Sequence, residues 1–233
     1  MISIFQTYHN EESKSFLDSA FYPYCLHAQD ELREYKLMRE VYEMNPALKK
    51  GITYLGVTDC KFSERTNITG EEIISRIKTD IEDKQEKDVY LYCSIDNMKV
   101  YPIYGAQQKL EGTLPNYYMP DIDINLRWMN EQQILPVRFF EKYQYSVFNY
   151  WIAKREVFDD YCKNWLLPAM DFFKREKTTN FYPALELLFG CFLANSNYSF
   201  EYLVKKRYTG MKKPQWVKVE TDSTQKQQIT KAA

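Results

Sequence analysis

The chain has 233 residues, 45% hydrophobic and 27% charged, with 31 basic residues against 32 acidic ones and a formal net charge of −1. This composition excludes disordered, collagen-like and disulfide-scaffold architectures, and the charge balance supplies no field to steer nucleic acid toward the protein. Five Cys are scattered without a C-x-x-C pair and only His9 and His27 could serve as nitrogen ligands, which argues against a Cys/His zinc site or a Ser-His-Asp hydrolase and for buried thiols in a reducing cytoplasm. The first residues show no secretory signal pattern and no run of about 18 apolar residues offers a transmembrane segment, so a cytoplasmic protein is expected.

In chain order, the apolar-rich run 2–7 reads as a first strand, and Leu32, Tyr35, Met38, Val41 and Tyr42 at helical spacing predict a helix over 30–44, stopped by Asn45-Pro46. A buried strand is expected over 52–58. The next helix starts at a capping box in which Thr69 and Glu72 each satisfy one orphan N–H, with Ile73, Ile74 and Ile77 on its buried face. Residues 89–95 form another buried-strand pattern, so strand, helix, strand gives the grammar of a parallel sheet. The stretch 98–137 reads as irregular, with one short helix over 121–133. A strand candidate at 145–153 follows, then a helix over 155–174 that Pro168 should kink, then a helix from about 181 to 194. The expectation is a single α/β domain over 1–208, with a mixed, mostly parallel sheet and helices on both faces, and a flexible polar tail over 209–233.

Gly51 and Gly56 have P-loop spacing, but in Val57-Thr58 a Val stands where Lys is required, and no G-x-G-x-x-G occurs. The strand ends are more informative, because open α/β sheets bind ligands outside the carboxyl ends of their strands. Asp96 sits where one strand would end, as a ligand holder or as a turn former beside Asn97. Asp59, Lys61 and Arg65 follow another strand; the two cations could hold phosphate oxygens or belong to an ordinary charged loop. Asp121 and Asp123 form the sole D-x-D, which suits a metal-bound diphosphate but equally suits acids at a helix N-terminus. Asn149 lies in an otherwise apolar strand and must be hydrogen-bonded or face a cleft. Glu186 sits at the edge of an apolar helix face, where a carboxylate is held near the core or snorkels to water. Most aromatic rings fall at core spacing, leaving Tyr101, Tyr104, Tyr117, Tyr118 and Trp128 as candidates for exposed stacking on carbohydrate.

Three segments together resemble a known group. YLGVTDCKFSERTNITGEEI at 54–73 resembles the "G-x-x-S-x-K-F-x-x-K-T-G-L-T" stretch of bacterial glycosyltransferase-like proteins of polysaccharide-biosynthesis loci. FNYWIAKREVFDDYCKNWL at 148–166 resembles their "N-Y-F-V-A-K-x-x-F-W" element, and ALELLFG at 184–190 their "E-R-L-F" element. Lys61-Phe62, Arg65-Thr66, Asn149-Tyr150, Lys154 and Glu186 match, whereas Asp59, Asn67 and Leu187 replace the usual Ser, Gly and Arg. The resemblance implies a nucleotide-sugar-transferase fold of the A type and transfer of a sugar from a nucleotide diphosphate to a glycan acceptor in surface-polysaccharide assembly. In that reading Asp59, Lys61, Arg65, Asp96 and Lys154 bind the donor, and Glu186, as base or acceptor-orienting carboxylate, is catalytic together with Asn149. Manganese or magnesium accompanies the diphosphate, held by Asp96 or by Asp121 and Asp123, and no other cofactor is called for. The expected partners are a nucleotide sugar and a glycan acceptor, with peripheral association to a membrane-bound acceptor and no nucleic acid. The alternative is a non-catalytic member of the fold that binds a glycan or a partner transferase.

Overall fold

The structure, a computed structural model, describes residues 1–27, 32–44, 46–47, 49–92, 119–134, 149–176 and 182–203 together with strand residues 206–209 and 215–218. Its centre is a six-stranded sheet in the order β2-β1-β3-β5-β4-β6, built from β1 (Ile2–Tyr8), β2 (Tyr22–Cys25), β3 (Tyr54–Asp59), β4 (Val89–Leu91), β5 (Trp151–Lys154) and β6 (Phe200–Tyr202). β1 is parallel to both β2 and β3, and β4 is parallel to β6. β5 runs antiparallel between β3 and β4. All four strands expected from their apolar runs share this sheet; of the runs at 89–95 and 145–153, residues 93–95 and 145–148 lie outside the described residues.

Those runs are nearly continuous because both faces of the sheet are covered. Leu55, Val57, Val89, Leu91, Trp151 and Ala153 point into one core with α2 (Glu34–Glu43), α5 (Met119–Glu131), α6 (Arg155–Tyr161), α7 (Leu167–Arg175) and α8 (Tyr182–Ala194). Tyr54, Tyr90, Tyr150 and Ile152, of the opposite parity, meet α3 (Phe62–Thr66) and α4 (Gly70–Glu82) through Phe62, Ile73 and Ile77. A further short helix, α1 (Glu11–Lys14), is capped by Asn10 and Ser13. The expected capping box at α4 is present, with the Thr69 N–H donating to Glu72 Oε2 at 2.9 Å and the Glu72 N–H to Thr69 Oγ1 at 3.3 Å.

The helix expected over 155–174 is one path in three parts, α6, a π-helical turn (Cys162–Leu166) and α7. Pro168 has no N–H to give and its ring crowds the carbonyl four residues back, and the turn before it widens so that the Leu167 N–H reaches Cys162 O. Trp128, expected as an exposed stacker, is fully buried: it meets Trp165 edge-on with ring centroids 5.1 Å apart, because α5 packs its Ile124, Trp128 and Met129 stripe into the core. Tyr101, Tyr104, Tyr117 and Tyr118 lie outside the described residues. Beyond the sheet, β7 (Lys206–Thr209) and β8 (Gln215–Lys218) pair as an antiparallel hairpin, so the stretch read as a tail supplies one of its strands.

Candidate functional site

The sheet's topology decides which side chains can meet. β1 and β3 end at Tyr8 and Asp59, and the antiparallel β5 begins at that same edge, since Trp151 pairs with Leu91 at the end of β4. Asn149 and Tyr150, just ahead of β5, therefore arrive beside Asp59. Lys154 goes the other way. It pairs with Tyr54 at the start of β3 and makes ion pairs with Glu86 (3.2 Å) and Asp88 (3.1 Å), so it stands at the edge opposite the other candidates. A parallel strand would have placed it among them; the reversal of β5 removes it.

Asp59 is the hub. Its Oδ2 accepts from Arg65 Nη1 at 2.7 Å and its Oδ1 from the Lys61 N–H at 2.8 Å, while the Tyr150 hydroxyl lies 3.0 Å from Oδ2 and accepts from Arg65 Nη1 at 2.9 Å. Gln6 Nε2 holds the backbone beneath it, donating to the carbonyls of Asp59 and Cys60, both at 3.1 Å. Burial pushes the Asp59 carboxyl above its ordinary range against the pull of Arg65, and Glu34 adds repulsion. For Arg65, burial works against the charge, but Asp59 and Tyr150 outweigh it and raise its pKa. Lys61 opens α3 with its ammonium 5.5 Å from the Phe16 ring centroid, on the rim.

A second carboxylate, which the sequence reading missed, stands at the end of β1. Glu34 opens α2, is buried, and accepts from Thr7 Oγ1 at 3.0 Å through Oε1 and from the Tyr182 hydroxyl through Oε2. Glu186, one turn further along α8 than Tyr182, is 8% exposed. Burial first, then Glu34 and Asp59, push its carboxyl up to about 8, against the opposing pull of Arg33 and Arg65. Burial pushes the Tyr35 hydroxyl well above its ordinary range, Tyr182 and Glu186 add to that, and the Asn149 amide opposes it. Asn149 Nδ2 and the Tyr35 hydroxyl are both buried with no hydrogen-bond partner among the described residues. Asp59, Arg65, Asn149 and Glu186 thus gather at one edge with Glu34, Tyr150 and Tyr182, and Lys61 borders them.

Asp96 lies outside the described residues. Asp121 and Asp123 fall in the first turn of α5, and their side chains also lie outside what is described. Among the described residues no group of three His, Cys, Asp or Glu side chains could hold a metal ion, and Asp59 already serves Arg65 and Tyr150.

No family model matches the sequence, and no curated protein matches it. A solved structure does match: WbbM, a bifunctional glycosyltransferase in its apo form, superposes with a TM-score of 0.54 at 10% identity over 91% of this chain and 46% of that one. The fold is that of a glycosyltransferase-like α/β protein. At this identity the likeness is one of fold, and the chain spans about half the length of the enzyme it superposes on. Among the described residues no helix is long and apolar enough to cross a membrane.

Proposed function

We propose that the protein is a glycosyltransferase that moves a sugar from a nucleotide-diphosphate donor to a glycan acceptor in surface-polysaccharide assembly, working in the cytoplasm on an acceptor it reaches from the membrane surface. The observation that carries this reading is the gathering of Arg65, Asp59, Glu34 and Glu186 at the carboxyl edge of β1 and β3, the place where open α/β sheets bind ligands. Arg65, with Lys61 on the rim, neutralises charge on the departing diphosphate, and Asp59 with Tyr150 fixes the guanidinium in place. Glu186 takes the proton of the attacking acceptor hydroxyl. A carboxyl pushed up to about 8 is poised near neutrality, as an effective base should be. No step is routed through a metal. If manganese or magnesium accompanies the donor, Asp96, Asp121 and Asp123 are the candidates to hold it.

Since Glu186 must lose its proton to act, turnover should rise with pH up to about 8. Glu186→Gln should leave donor binding nearly intact and lower turnover about 100-fold or more. A thermal-shift panel of nucleotide sugars, with and without manganese, tests the reading directly, since a ligand at about 100 times its Kd adds about 2.7 kcal/mol of stability. One observation favours a non-catalytic, glycan-binding protein instead: Arg65 is already committed to Asp59 and Tyr150. Stabilisation by a glycan but by no nucleotide sugar would decide for that alternative.

A further inference from the structure

Glu34 belongs to the gathering at the sheet edge but has no chemical role in the transfer described above, yet it is held tightly. It is 3% exposed, and each of its oxygens accepts from a different hydroxyl, Thr7 on β1 and Tyr182 on α8. Tyr182 is itself fixed from two sides: the Arg33 guanidinium lies 4.7 Å from its ring centroid, and the Tyr35 ring meets it edge-on at 5.3 Å. Tyr182 and Glu186 are four residues apart on α8, and residues at that spacing stack on one helix face. Glu186 therefore lies on the face of α8 whose hydroxyl grips Glu34, close enough for the two carboxyls to repel.

We infer that Glu34 is a positioning residue for Glu186, an anchored negative charge that makes Glu186 keep its proton in the ligand-free protein. The groups that face Glu186 are Glu34 and Tyr35 from α2 with Arg33 just ahead of it, Asp59 from β3, Arg65 from α3, and Tyr182 from its own helix. Of these, Glu34 and Asp59 favour the protonated acid while Arg33 and Arg65 oppose it, and Asp59 is offset locally by its bond to Arg65. Among the described residues the bonded partners of Glu34 are two hydroxyls and no cation, whereas Asp59 is bonded to Arg65. The inference rests on the proposed role of Glu186 only where activity is the readout.

The experiment is a titration of carboxyl groups by infrared or NMR spectroscopy in the full chain, with the Glu186 signal assigned by its loss in Glu186→Gln. Glu34→Gln keeps one carbonyl oxygen, for one of the two hydroxyls, and removes the charge. The Glu186 midpoint should then fall by about one pH unit, as expected when a neighbouring like charge is removed. Tyr182→Phe, which frees Glu34 from its anchor and keeps its charge, should move the midpoint the same way by less, and serves in place of Glu34→Gln if that variant does not fold. A folded Glu34→Gln protein, or in its stead Tyr182→Phe, whose Glu186 midpoint is unmoved would overturn the inference and reduce Glu34 to a packing element. The outcomes separate this idea from the transferase reading. A shifting midpoint in a protein that turns over no nucleotide sugar sinks the transferase and keeps the pair; an active transferase whose low-pH limb of kcat/KM ignores Glu34 does the reverse.

Discussion

Burying Glu186 should make the protein measurably less stable as pH rises, and the size of the effect can be worked out. In the folded chain the carboxyl titrates at about 8 against an ordinary 4.5. A raised carboxyl favours the folded state fully below 4.5, and that advantage is lost as pH climbs through the window up to about 8, because the unfolded chain ionises first. At about 1.4 kcal/mol per pH unit, the whole window is worth about 5 kcal/mol. Glu186→Gln has nearly the shape of the protonated acid and cannot ionise, so it should match the parent near pH 4.5 and exceed it increasingly above. Near pH 8 the gap in melting temperature should be on the order of 10 °C, taking a few degrees per kcal/mol for a chain of this length. Calorimetric melts of both proteins from pH 5 to 9 test this, and titrating groups distant from Glu186 cancel in the difference. A difference that stays flat within about 1 kcal/mol across that range would mean that water reaches the folded Glu186 carboxylate, and the electrostatic picture of the site would be wrong.

Two further expectations concern the scaffold. A methyl added at Gly56 would lie 2.7 Å from Ile152 Cγ1 and 3.2 Å from the Trp151 carbonyl oxygen, so Gly56→Ala should wedge β3 from β5 and cost about 1–3 kcal/mol in denaturant melts; a loss under about 0.5 kcal/mol would show that the pair is looser than described. Trp165 lies between Trp128 at 5.1 Å and Phe192 at 5.8 Å, joining the α6–α7 path to α5 and α8, and Trp165→Ala should cost about 3–5 kcal/mol, with a loss below about 1 kcal/mol indicating an exposed ring.

What the sequence made legible follows from what each element has to do locally. The strands covered on both faces announced themselves by apolar continuity, and α4 by a cap whose two hydrogen bonds are made within four residues. The edge strands did not: β2 is mostly exposed and contains Pro23, and β6 has three half-buried residues, so neither needs an apolar run. Among the site residues, Asp59, Arg65, Asn149 and Glu186 stood out because each is polar beside an apolar element. Glu34 did not, because it sits among Asp30, Glu31 and Arg33 and reads as part of a solvated face. Yet a signal was there. Glu34 shares its helical stripe with Leu37, Met38 and Val41, all buried, and a carboxylate at the head of an apolar stripe must be held by something. Lys154 shows the opposite limit. Its matching motif was plain, but its place depends on whether β5 runs with or against its neighbours. The segment joining β4 to β5 sets that direction, and its length suits a parallel crossover as well as an antiparallel return. Local chemistry selects candidates; the direction of one strand decides which of them share an edge, and here it takes Lys154 away and leaves Arg65, half-buried against Asp59 and Tyr150, as a cation acting on Glu186.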